Sequence, residues 1–228
     1  MWLGDGRVIA GLAAVAVAVF VAFSIWPVLD LSVTQAFYDG AKFPVEIFPG
    51  IESLRLALWN STIAMAVFAL AMAAATRFLG APLLGLGVRV WGAILLIFVL
   101  GPGILVNVLL KEHWGRARPV NTANFGGSAN FTPPYQITDQ CASNCSFVSG
   151  EAAGSTAFAI AVLLILAANH ARLPSFVFRL GQTIAVAVPL FTAWQRVAAG
   201  RHFLSDVVLA MVFVTLIAAV VVRAMRLR

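Results

Sequence analysis

Charge is scarce in this sequence. Asp, Glu, Lys and Arg make up 11% of its 228 residues while 61% are hydrophobic, against about a quarter charged in an ordinary soluble domain. So little charge cannot coat a water-facing surface, which argues against a free soluble globule and points to lipid. Runs or stripes of like charge are missing as well. The formal net charge of +6 comes from basic residues scattered at the ends of apolar runs, so a nucleic-acid partner is not expected. Short alternating segments are absent, which argues against a β-barrel. Two cysteines with no histidine beside them do not make a zinc site, and no carboxylate cluster offers itself to Mg²⁺. No metal or other cofactor is therefore expected, and nothing in the chain marks an obligate protein partner.

What the sequence does have is length in its apolar runs. Six reach or approach the roughly 20 residues a helix needs to cross a bilayer, over Val8–Leu29, Leu56–Ala75, Val90–Leu110, Ala152–Ala168, Leu180–Ala199 and Phe203–Val222. Helices follow because lipid offers the backbone no hydrogen-bond partners. The expectation is an all-α polytopic membrane protein of six spans, forming a single domain over residues 1–228. The first run is longer than a signal-peptide core and lacks a small-residue cleavage site, so it is read as a span.

With six spans, Arg7, Arg77, Arg89, Arg172, Arg179, Arg223, Arg226 and Arg228 fall on one side against Asp5. The other side holds Lys42, Arg55, Lys111, Arg116, Arg118, Arg196 and Arg201 among a slight excess of acids, Asp30, Asp39, Glu46, Glu52, Glu112, Asp139, Glu151 and Asp206. Positive residues stay inside, which puts both termini in the cytoplasm and the second group outside, in a bacterial inner membrane facing the periplasm. Gly101-Pro102-Gly103 predicts a bend in the third span, and Pro189 another in the fifth. Two outward segments are long. The first, Asp30 to Arg55, is amphipathic enough to lie along the interface but is read as a connector with an aromatic belt. The second, Lys111 to Gly150, is rich in Gly, Asn, Pro and Thr and contains Cys141 and Cys145, for which a disulfide and two free thiols both fit.

Three charged clusters fall at outward span ends. In KEHWGRARP, Lys111 and Arg118 are seven residues apart, nearly two helical turns, and share a face if the helix continues that far; Pro119 ends it. The pair suits a phosphate or a snorkelling role at the interface. In SFVSGEAAG, Ser149 and Gly150 precede the fourth span, where free N–H groups receive an anion or where Ser149 is an ordinary cap with Glu151 in the first turn. In QRVAAGRHFLSD, His202 and Asp206 are four apart and expected on one face of a helix. The carboxylate would take one imidazole N–H and leave the other nitrogen as nucleophile or base. Arg196, across the turn at Gly200, adds a third cation. Singly these are common interfacial arrangements. Together they are the parts of a phosphoryl-transfer site that needs no metal.

With those residues in place, the chain resembles the type 2 phosphatidic acid phosphatase (PAP2) superfamily of membrane phosphatases, whose pattern is K-x6-R-P, P-S-G-H and S-R-x5-H-x3-D. Lys111, Arg118 and Pro119 match the first part, Ser149 and Gly150 the second, and Arg196, His202 and Asp206 the third, so the resemblance covers residues 111–206. It implies that His202 attacks phosphorus to give a phosphohistidine, that Asp206 orients it, and that Lys111, Arg118, Ser149, Gly150 and Arg196 bind the phosphoryl oxygens, without a cofactor. Three positions depart from the pattern. Val148 replaces proline, Gln195 replaces serine, and Glu151 stands where the family has the histidine that protonates the leaving oxygen. Glu151 is then a working general acid, a binder of a hydroxyl or amine on a sugar head group, or the mark of a slow or inactive enzyme, with the first two preferred.

The substrate class implied is a phosphate on a membrane lipid, held at the head-group level of the bilayer. Lipid A comes first because of Glu151 and the long outward loop. Polyprenyl diphosphate, phosphatidylglycerophosphate and phosphatidic acid follow, and phosphoryl transfer to a second lipid or a catalytically weak lipid-binding relative are the alternatives. His113 and His170 are left outside the site.

Overall fold

The apolar runs become helices whose limits are set by proline and glycine. The structure, a computed structural model, describes residues 2–227; Met1 and Arg228, the latter counted above among the inner cations, lie outside the described residues, as do the side chains of Trp2 and Glu46. The helices are α1 Gly6–Ile25, α2 Val28–Gln35, α3 Pro49–Leu79, α4 Val88–His113, α5 Gly150–Ala168, α6 Ser175–Ala198 and α7 Leu204–Ala224. All but α2 are long and apolar enough to cross a membrane. No strand occurs among the described residues. The chain is an all-α integral membrane protein.

The first run ends earlier than its hydropathy suggests, because Pro27 carries no N–H donor and begins the separate short α2. The segment from Asp30 to Arg55 is therefore not a connector. It contains α2, one 3₁₀ turn and the start of α3, which opens at Pro49 with Glu52 in its first turn, where a fixed φ and a negative charge both suit a helix N-terminus. Glu52 and Arg55 thus ride on a rigid helix. In α4 the expected bend is replaced by a change of winding, since Val99–Leu110 is a π-helix around Pro102. Wider turns accommodate a residue that cannot donate. Gly103 belongs to the same adjustment, as a Cβ there would lie 3.3 Å from the Phe98 carbonyl oxygen. Pro189 sits inside α6 without ending it.

Helix α5 is the axis of the bundle. It packs against α3, α4, α6 and α7, whereas α1 rests mainly on α7, and 56% of the α5 span is buried against 11% for α1. Small buried residues, including Ala152, Ala153, Gly154, Ser155, Ala157 and Ala161, let its neighbours approach. A Cβ on Gly154 would already touch Thr62 Oγ1 at 3.4 Å. Trp91, Ile94, Ile97, Leu209 and Val214 fill the space around it. On the outer faces, Val17, Val67, Phe78, Phe176 and Ile184 are exposed and meet lipid. The hydroxyls of Ser24, Thr62, Thr76, Thr156, Thr192 and Thr215 each donate to a carbonyl three or four residues back, which satisfies them where lipid cannot.

The segment between α4 and α5 folds down over one end of the bundle. It leaves α4 through Gly115, whose φ of +65° and contact with the Thr138 carbonyl leave no room for a Cβ. Backbone hydrogen bonds from Ser146 to the Arg116 carbonyl and from Val120 to the Gly200 carbonyl pin it down. A disulfide joins Cys141 and Cys145. Beneath it, Phe43, Phe125 and Phe203 pack with Tyr38 as a second apolar cluster.

Candidate active site

His202 lies in the turn between α6 and α7, before the helix begins. The cap of α7 is Phe203 in extended backbone, so the expected stacking of His202 and Asp206 on one helix face does not form. His202 Nδ1 is 2.8 Å from the Ser146 carbonyl oxygen and 3.9 Å from Asp206 Oδ2, too far for a hydrogen bond. A carbonyl only accepts, so the proton sits on Nδ1 and Nε2 keeps its lone pair. Asp206 acts through its surroundings: Oδ2 accepts from the Phe203 N–H at 2.9 Å and from Ser146 Oγ, and Oδ1 from Arg116 Nη1 at 2.6 Å. The carboxylate holds the residues that hold the ring. Burial, with the Lys111 and Arg118 charges adding to it and Asp206 opposing, pushes the His202 pKa from 6.5 down to about 4. The imidazole is therefore neutral at neutral pH.

Lys111 and Arg118 also meet by another route than a shared helix face. Lys111 is buried in the last turn of α4. Arg118 comes from extended backbone before Pro119, as the residue preceding a proline prefers. Both bind Asn144: Lys111 Nζ is 2.6 Å from its Oδ1, and Arg118 Nη2 is 2.9 Å from its carbonyl oxygen. Asn144 has φ of +49° and lies inside the ring closed by Cys141 and Cys145. Ser149 caps α5, its Oγ accepting from the Ala152 N–H at 3.3 Å, while its own N–H donates to the Asp206 carbonyl. At Gly150 an added Cβ would lie 3.8 Å from Lys111 Nζ, so the lysine ammonium sits beside the α5 N-terminus.

Arg196, at the end of α6, donates Nη1 to Glu151 Oε1 at 2.9 Å and Nε to Gln195 Oε1 at 2.6 Å. Gln195, the residue that departs from the serine of the family pattern, thus braces the arginine beside it. Glu151 Oε1 accepts a second guanidinium, Arg55 Nη1 at 3.0 Å, and Oε2 is buried without a hydrogen-bond partner. Arg55 binds Glu52 through Nε at 2.9 Å and through Nη2. A hollow of about 300 Å³ is lined by Glu52, Arg55, Arg118, Arg196 and Arg201.

Several residues at this end escape a reading of the sequence. Arg116 is fully buried, joined to Asp206, to Asp30 Oδ2 at 2.9 Å, to Ser205 Oγ and to the Thr132 carbonyl, with its guanidinium 4.4 Å from the Phe203 ring centroid. Asp30 also accepts from the N–H and Oγ of Ser205. Burial raises the Asp30 pKa, with Asp206 adding and Arg116 opposing. The signal for Arg116 was no more than a second arginine two residues before Arg118 in KEHWGRARP, and the structure turns the two to different partners, Asp30 and Asp206 for one and Asn144 for the other. For Asp30 it was an acid directly after the break at Pro27. Among the described residues no group of three or more His, Cys, Asp or Glu gathers as a metal would require.

The PAP2 superfamily pattern matches residues 91–228. The chain belongs to the PAP2 superfamily. Similar PAP2 proteins include the lipid A 4'-phosphatases of Rhizobium etli, 41% identical over 49% of this chain and 40% of that one, and of Rhizobium leguminosarum, 43% identical over 49% and 44%. That of Francisella tularensis subsp. novicida is 40% identical over 50% and 49%. The chain spans less than half the length of each of these curated relatives. Its fold is similar to that of a transmembrane PAP2-type phosphatidylglycerolphosphate phosphatase from Bacillus subtilis, with a TM-score of 0.60 over 97% of this chain and 94% of the other at 18% identity.

Proposed function

We propose that this PAP2 protein is a lipid phosphatase that hydrolyses a phosphomonoester of lipid A through a phosphohistidine on His202, acting as one domain over residues 1–228. The observation that carries the proposal is the meeting of a neutral, Nδ1-anchored imidazole with Lys111, Arg118, Arg196 and the N-terminus of α5 at one end of the bundle. Lys111 serves as a point charge and the two arginines as forks of N–H donors for phosphoryl oxygens. Ser149 and Gly150 add the helix terminus. Asp206 stabilises the imidazolium as charge develops, through space and through Ser146. Glu151 stands on the leaving-group side, and its unpartnered Oε2 favours a head group that brings a hydroxyl or amide donor, as a sugar does.

The excess of arginine at the opposite end of the bundle supports cytoplasmic termini and a periplasmic site in the inner membrane. A lipid held in the bilayer then presents its phosphate at the depth of the site, already oriented. The test is phosphate release by purified protein in detergent from lipid A, a polyprenyl diphosphate, phosphatidylglycerophosphate and phosphatidic acid, beside a His202→Ala control. The expected result is fastest release from lipid A, with the control lower by on the order of 10⁵-fold and a phosphorylated histidine trapped by acid quench. Turnover that survives His202→Ala removes the proposal, and preference for another member of the panel changes its substrate.

A further inference from the structure

We propose that Arg55 is a further catalytic residue of this site, the donor that meets the leaving oxygen, with Glu52 and Glu151 aiming it. The proposal rests on the phosphohistidine reading above. Arg55 lies on α3, remote in sequence from all three motif segments, yet its guanidinium forms part of the wall of the hollow together with Arg118 and Arg196. Three of its five N–H groups are engaged, two by Glu52 and one by Glu151, which leaves one on Nη1 and one on Nη2. A guanidinium clamped by two carboxylates on a helix has little freedom left. Its remaining donors are fixed before any ligand arrives.

Glu151 explains why such a residue is wanted. A carboxylate facing a phosphoryl dianion repels it, and here one oxygen of that carboxylate is shared between Arg196 and Arg55. The first guanidinium belongs with the phosphoryl-binding cations. The second is bonded to the residue that stands where the family pattern keeps its proton-donating histidine. In the step assigned, His202 Nε2 forms the N–P bond as the P–O bond to the leaving group breaks. The bonding pair passes to the leaving oxygen, whose growing negative charge accepts the two free N–H groups of Arg55. That oxygen takes its proton from solvent water and leaves hydroxide, and water releases phosphate from the histidine afterwards. Donors placed in advance where charge develops are among the largest contributors to catalysis, about 10²–10³-fold for one.

The test uses the full chain in detergent and a series of phenyl phosphates whose substituents grade the acidity of the leaving phenol, with kcat/KM measured for the parent and for Arg55→Gln. The loss expected for Arg55→Gln is about 10²–10³-fold on phenyl phosphate and roughly ten times smaller on 4-nitrophenyl phosphate, which needs little help to depart. The plot of rate against leaving-group acidity therefore steepens. Arg55→Lys, which keeps a charge on the same stem, recovers part of the rate and flattens the plot again, and it carries the test if the glutamine variant does not fold. An unchanged slope in a folded variant overturns the assignment of Arg55. A parent protein that releases phosphate from no ester overturns the phosphatase reading instead.

Discussion

Two ion-pair chains lie at the His202 end of the bundle: Asp30, Arg116 and Asp206 form one whose side chains are sealed from solvent, and Glu52, Arg55, Glu151 and Arg196 form another whose side chains are 9–37% exposed, with Glu52, Arg55 and Arg196 in the wall of the hollow. Similar chemistry serves opposite purposes. Buried charges recover their desolvation cost only while every partner is in place, so the sealed chain is a frame that fixes the turn carrying His202. Charges still in touch with water exchange partners at modest cost, so the open chain is suited to receiving an anion. The division separates what holds the site together from what handles substrate.

The sharpest way to break the comparison is to remove one arginine from each side. Arg116→Ala strands two buried carboxylates and is expected to destabilise the protein by about 3–5 kcal/mol, read as a fall in thermal midpoint in detergent. Arg196→Ala is expected to leave that midpoint nearly unchanged while kcat/KM falls about 10²–10³-fold. Equal destabilisation by both would erase the distinction. A middling effect concerns pH. Because the His202 pKa stands at about 4, kcat/KM is expected to hold from neutrality down to about pH 5 and to decline as the imidazole gains its proton. Arg118→Gln removes one of the charges that depress it, so the acid limb moves to higher pH, whereas a limb fixed in place would deny this cation of the hollow any hold on the nucleophile. Stability follows the same sign. The folded protein disfavours the imidazolium relative to the unfolded chain, so this contribution is complete above about pH 6.5 and fades as pH falls towards 4.

The smallest expected effect is at the disulfide. Opening the Cys141–Cys145 ring, by reductant or by Cys141→Ser with Cys145→Ser, frees Asn144 from its place between Lys111 and Arg118. The expected outcome is a KM shift of a few-fold, about 1 kcal/mol, with kcat little changed. A collapse of kcat would mean that the ring belongs to the frame after all.

The spans were legible because an apolar run of that length has one stable fate in lipid, and their limits moved by several residues where Pro27, Pro49 and Pro174 overruled hydropathy and where α3 ran on to Leu79. The motif residues were legible as a set, and the structure gathers them at one end. Their mutual contacts were not. The pairing of His202 with Asp206 assumed a helix already formed at His202, whereas the first turn starts after Phe203 and the Ser146 carbonyl takes the ring N–H. Lys111 and Arg118 were placed by helical periodicity, but the chain turns at Gly115 and Asn144 joins them from a loop that has no period to read. Arg55, Asp30 and Arg116 find partners 86 to 175 residues away, and no local pattern carries such a distance.

The π-wound stretch of α4 has a reach beyond its own turns. Each residue there advances around the helix axis by less than in an α-helix, so the azimuth at which α4 delivers Lys111 depends on how many turns between Val99 and Leu110 are wide. Pro102, deep among hydrocarbon, in effect sets the compass bearing of an ammonium at the far end of its helix. A substitution there that restored ordinary winding would swing that charge away from its quarry without touching any polar group.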